Sequence, residues 1–140
     1  MRKIIFILLA FASLTARAQS YDTTITVSAS QLANLYNQPV TLLTPQQGYT
    51  NYVTSIVGYL QAGKPYSTTS IMIKYSGCTF YTANFSQILS MSGDTYIYNA
   101  LNSIPDKCYQ GAPIILYSNG DTGSGNGTLK IILTYIKIQN

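Results

Sequence analysis

Thr128-Leu129-Lys130-Ile131-Ile132-Leu133-Thr134-Tyr135-Ile136-Lys137-Ile138 is the stretch that decides the fold. Branched aliphatic, threonine and tyrosine side chains suit a pleated surface, and a run this long reads as one extended strand. With a period of two, Ile131, Leu133 and Tyr135 face one way while Ile132, Ile136 and Ile138 face the other. Both faces are apolar. Such a strand is either central between two covering layers or part of a subunit contact.

Working backwards, Asn119 to Gly127 contains four glycines and reads as a flexible hairpin loop. Pro113 to Ser118 is a compact apolar strand, and Asn102 to Ala112, with Pro105, Asp106 and Gly111, is a loop held by Cys108. Thr95 to Asn99 follows the Gly93-Asp94 turn as another strand. Phe85, Ile88 and Leu89 stand at helical spacing within Asn84 to Met91, which suggests a short helix or an ordered loop. Thr79 to Thr82 reads as a resumed strand after Gly77. Ser70 to Tyr75 alternates, with Ile71, Ile73 and Tyr75 opposite Met72 and Lys74.

Tyr49 to Gln61 is apolar or β-prone almost throughout, with Gly58 the expected site of a bulge. Val40 to Thr44 is a strand, and Ser28 caps one or two helical turns ending near Asn37. Thr23 to Ser28 is a short half-buried strand. Seven or eight strands separated by turn signals, with one or two short helical turns, predict an all-β chain: an antiparallel β-sandwich or a jelly-roll-like fold.

The amino terminus has a different character. Met1, Arg2 and Lys3 precede an apolar run from Ile4 to Leu14, then Ala16-Arg17-Ala18 and Gln19. A charged start, a short hydrophobic stretch and small residues before a cut describe a secretory signal peptide. Residues 1–18 are therefore expected to be removed between Ala18 and Gln19, leaving 19–140 as a single β-sandwich domain. The run is about half the ~20 residues that span a bilayer as a helix, so no membrane span is expected. The expected destination is the periplasm, the cell surface or the extracellular space.

Loss of Arg2, Lys3 and Arg17 takes the net charge from +4 to +1 and removes the positively charged start and both arginines. Without a cationic surface, nucleic acid is not an expected partner. Few charges also give weak electrostatic protection against association. Cys78 and Cys108 are the two cysteines. In an exported chain their simplest reading is one disulfide, with two reduced buried thiols the alternative. Closing that loop would stabilise the fold by roughly 3–4 kcal/mol.

Histidine is absent, which removes the commonest general base and metal ligand. The four aspartates are scattered singly through the chain, and no glutamate accompanies them. Asp121-Thr122-Gly123-Ser124 reproduces the tetrapeptide around the catalytic aspartate of aspartic proteases, but that chemistry needs two aspartates sharing a proton. Only 19 residues follow Asp121. Asn119, Asp121 and Asn126 offer oxygen ligands for a weak calcium site. Neither pattern outweighs the reading of a plain loop, so no catalytic, metal or cofactor residue is assigned and the chain is expected not to be an enzyme. Thirteen tyrosines leave a binding role open, since tyrosine joins a rigid apolar face to a hydrogen-bonding tip. Tyr52, Tyr59, Tyr96 and Tyr98, all in strands, are the candidates.

Ser30-Gln31-Leu32 with Leu35, then Gln38-Pro39-Val40-Thr41-Leu42-Leu43-Thr44-Pro45, stand near the start of the expected mature domain, and Ala112-Pro113-Ile114-Ile115-Leu116 with Gly125-Asn126-Gly127-Thr128-Leu129-Lys130-Ile131 and a strand carrying Tyr135 stand near its end. In these stretches the chain resembles small phage virion-associated proteins of β-sandwich type, the accessory proteins of tails and capsids. The resemblance implies a compact, often oligomeric structural protein with no catalytic residues. A signal peptide and a cysteine pair depart from that pattern. The expectation is thus an exported structural protein that self-associates through apolar strand surface as a homo-oligomer, for instance a trimer. The alternative is a secreted adhesin-like module that recognises glycan or protein through its tyrosines.

Overall fold

Threonine, tyrosine and branched aliphatic residues extend the described residues into eight strands: β1 (Ser20–Val27), β2 (Val40–Leu43), β3 (Tyr49–Gln61), β4 (Ile71–Tyr75), β5 (Ala83–Asn84), β6 (Thr95–Ala100), β7 (Ile114–Ser118) and β8 (Thr128–Gln139). The computed structural model describes residues 19–61, 63–67, 70–78, 83–85, 88–100 and 110–140. The expected signal peptide, the strand read over 79–82 and most of the loop carrying Cys108 lie outside the described residues.

Two antiparallel four-stranded sheets result, ordered β1-β8-β3-β6 and β2-β7-β4-β5. The pairings nest: β4 with β5, β3 with β6, β2 with β7 and β1 with β8. This is what a long hairpin with its tip between β4 and β5 gives when it is rolled up. Rolling then adds the second set of contacts, β3 with β8 and β4 with β7. The order is that of a jelly roll.

The loop between β7 and β8 is consequently not a hairpin, because its two strands belong to different sheets. Nor is it loosely held. Thr122 is fully buried, its hydroxyl donates to Leu32 O at 2.5 Å, and its carbonyl accepts from Ser67 N at 2.8 Å. Tyr66 donates to Gly127 O at 2.6 Å, and its buried phenol is pushed above the ordinary tyrosine range by that burial. A Cβ on Gly125 would lie 2.4 Å from the Tyr66 ring. Here glycine is required by the close approach of an aromatic ring.

Helix α1 (Ala29–Ala33) begins with the expected Ser28 cap. Ser28 Oγ accepts from Gln31 N at 3.3 Å, and Gln31 Oε1 accepts from Ser28 N at 3.0 Å, satisfying donors that the helix itself cannot. Leu32 and Leu35 thereby enter the core. The stretch expected to be helical near Ile88 is a single 3-10 turn, Ile88–Ser90. Phe85, Ile88 and Leu89 are all buried, so the spacing identified the right side chains although the backbone is tighter.

The core lies between the sheets. β8 contributes Leu129, Ile131, Leu133 and Tyr135 to it, and β4 contributes Ile71, Ile73 and Tyr75. β3 is irregular in one place: Val53 pairs with Tyr135 and Ser55 with Thr134, leaving Thr54 as an extra residue. The bulge expected at Gly58 is therefore at Thr54. Gly58 pairs regularly with Ile97 and Ile131, and its missing side chain makes room for Phe85, whose ring would stand 3.2 Å from a Cβ there.

Candidate functional site

A bulge reverses the facing of every residue beyond it. On β3, Asn51 and Val53 point inward before Thr54, and Ile56 and Leu60 point inward after it. Tyr52, Val57 and Tyr59 consequently share the outer face. By simple alternation Tyr52 and Tyr59 would have stood on opposite sides.

Register then fixes the composition of that outer face. One row crosses the sheet as Thr26, Lys130, Tyr59 and Tyr96, and the next as Thr24, Ile132, Val57 and Tyr98. A third holds Asp22, Thr134 and Ser55, and a fourth Ser20, Ile136 and Tyr52. All four tyrosines singled out in the sequence therefore lie on one surface. Tyr96 is 71% exposed and Tyr98 67%. Ile132 and Ile136, on the second apolar face of β8, are partly exposed, and Ile138 is 45% exposed.

Two of the tyrosines are tied together. Tyr59 and Tyr96 stack with centroids 4.5 Å apart and planes 27° from parallel, an offset arrangement suited to aromatic quadrupoles. Tyr59 donates to Asp94 Oδ2 at 2.6 Å. The bond to that carboxylate, with smaller contributions from desolvation and charge, pushes the Tyr59 phenol up to about 12. Asp94 is a participant the sequence reading missed, though its position in the turn just before β6 was the available signal.

The remaining sequence candidates fall elsewhere. Asp121 is exposed, and its Oδ1 accepts from Gly123 N at 2.9 Å. Asn126 Oδ1 accepts from Lys64 N, so each of these oxygens serves a nearby backbone rather than a shared ion. Cys78 is buried, 2% exposed, while Cys108 lies outside the described residues. A polar groove of about 400 Å³ runs between α1 and β2, lined by residues including Gln31, Asn34 and Gln38. Gln31 is engaged in the helix cap, and Asn34 Nδ2 donates to Ser30 O at 2.9 Å. Much of the first stretch of the phage resemblance is thus occupied with local structure.

No helix among the described residues is long and apolar enough to cross a membrane. No protein-family model and no curated protein matches the chain. Among solved structures it is similar to a chain described under "Bacillus endospore appendages form a novel family of disulfide-linked pili", with a TM-score of 0.41 and 9% identity over 84% of this chain and 87% of that one. At that level of superposition the likeness bears on the function of neither.

Proposed function

We propose that the chain is an exported, non-enzymatic structural protein that self-associates through the outer face of the β1-β8-β3-β6 sheet. The observation that carries the reading is the row Ile132, Val57 and Tyr98. It sets two β-branched side chains and an exposed ring in the middle of a surface that no other layer among the described residues covers. An exposed apolar patch of this kind marks an interaction surface.

A flat aliphatic centre suits another protein surface better than a sugar, which requires an open ring face and polar anchors. Tyr59 has one ring face against Tyr96 and its hydroxyl on Asp94, which leaves it poorly placed as a stacking platform. Recognition of glycan is the second reading, favoured by the exposure of Tyr96 and Tyr98. Export rests on the charged and apolar start of the chain. A role in a phage tail or capsid rests on the two resembling end stretches, and a Cys78–Cys108 disulfide on the burial of Cys78 and the cysteine count.

Light scattering on the secreted protein across a concentration series tests the main reading. A mass that rises with concentration, and falls back to the monomer in Ile132→Thr/Tyr98→Ser, is expected. A monomer at every concentration that is retained on a glycan array would overturn it in favour of recognition.

A further inference from the structure

On the reading that this face self-associates, its charges specify how. Lys130 and Asp22 are exposed on the outer face, two rows apart and on neighbouring strands. The separation along the strands is about 14 Å, four residues of extended chain. They therefore do not meet within one copy, and neither has an ion partner among the described residues.

We infer that two copies dock face to face about a two-fold axis that runs across the strands through the row of Ile132, Val57 and Tyr98, so that Lys130 of each copy meets Asp22 of the other. Such an axis brings the middle row onto itself and exchanges the rows on either side of it. The row with Lys130 and Tyr59 then lies over the row with Asp22 and Ser55. The large Tyr59 is seated over the small Ser55, and opposite charges face each other. The one-strand offset between Lys130 and Asp22, about 4.8 Å, is within the reach of the flexible lysine stem. An isologous contact must be self-complementary in this way, and like charges brought together elsewhere would oppose it.

Size sets the strength. Four strands and the rows around the axis make a footprint of about 19 by 20 Å from strand spacing and rise. That is below the roughly 800 Å² per partner of a stable complex. The dimer is accordingly reversible and forms at micromolar or higher concentration.

Charge reversal tests this on the full secreted protein, by sedimentation equilibrium in low salt. Lys130→Asp and Asp22→Lys should each weaken the dimer about tenfold, and the double variant D22K/K130D should recover most of the loss. Both positions are exposed, and an unchanged far-ultraviolet spectrum and melting midpoint would confirm that the variants fold. Association that ignores both reversals, a double variant no better than the single ones, or a trimer would overturn the two-fold docking while leaving self-association standing. A wild-type chain that stays monomeric would remove both.

Discussion

Both faces of β8 carry several apolar side chains, but the two have opposite fates. Leu129, Ile131, Leu133 and Tyr135 are buried against the second sheet, whereas Ile132, Thr134 and Ile136 face outward beside Val57 and the tyrosines. Hydrophobicity therefore identifies which surfaces seek cover but does not say what covers them. One face is satisfied within the chain, and the other is the one proposed to meet a second copy.

The sharpest way to break this distinction is to delete Thr54. Without the extra residue, either Asn51 and Val53 or Ile56 and Leu60 must leave the core, because a one-residue slip exchanges the faces. Loss of about 4 kcal/mol or more is expected in urea denaturation, from at least two displaced apolar side chains and the polar groups that replace them. A deletion variant with an unchanged midpoint would mean that the bulge does not divide the two faces. Tyr75 explains why this point of β3 is sensitive. The Tyr75 hydroxyl, reaching across from the other sheet, donates to Asn51 O at 2.8 Å and accepts from Val53 N at 3.2 Å.

A matched pair of truncations sharpens the contrast directly. Ile131→Ala should destabilise the monomer by about 2–5 kcal/mol, the usual range for a fully buried isoleucine. Its neighbour Ile132→Ala should cost less than about 1 kcal/mol when measured well below the association concentration, and should instead weaken self-association. Equal costs in the dilute monomer would show that the outer face is packed after all.

The smallest effect concerns the stacked tyrosines. Tyr59 should ionise near 12 when followed by ultraviolet absorbance, and Asp94→Asn should bring it back towards its ordinary value. Its folded-state pKa lies above the unfolded one, so the stabilisation from the Asp94 bond is complete below about pH 10 and fades as the pH climbs through about 12. An ordinary titration in the wild-type protein would mean that the hydrogen bond is not held in solution.

Strand positions were largely legible in the sequence, because period-two patterning is a local signal: the limits read for Tyr49 to Gln61 match β3 in the structure. The terminal strand was underestimated, since Ser20, Tyr21 and Asp22 offer little apolar alternation and pair only because β8 extends alongside them. The bulge was misplaced because glycine is its usual advertisement, while Thr54 carries none. Its hydroxyl simply donates to Thr134 O at 3.1 Å. The gathering of Tyr52, Tyr59, Tyr96 and Tyr98 on one face depends on that bulge and on non-local register, so alternation alone could not show it. The glycine-rich loop appeared flexible because composition cannot reveal that Leu32, Lys64, Tyr66 and Ser67 hold it from elsewhere in the chain.

The nested pairing also sets a timetable. Ser20 stands opposite Ile136, so β1 must wait for β8 before it has a sheet neighbour among the described strands. Closing so large a loop is entropically costly and slows folding. A chain built this way cannot close its β1-β8-β3-β6 sheet until β8 is available, a condition that suits the proposed export in an unfolded state.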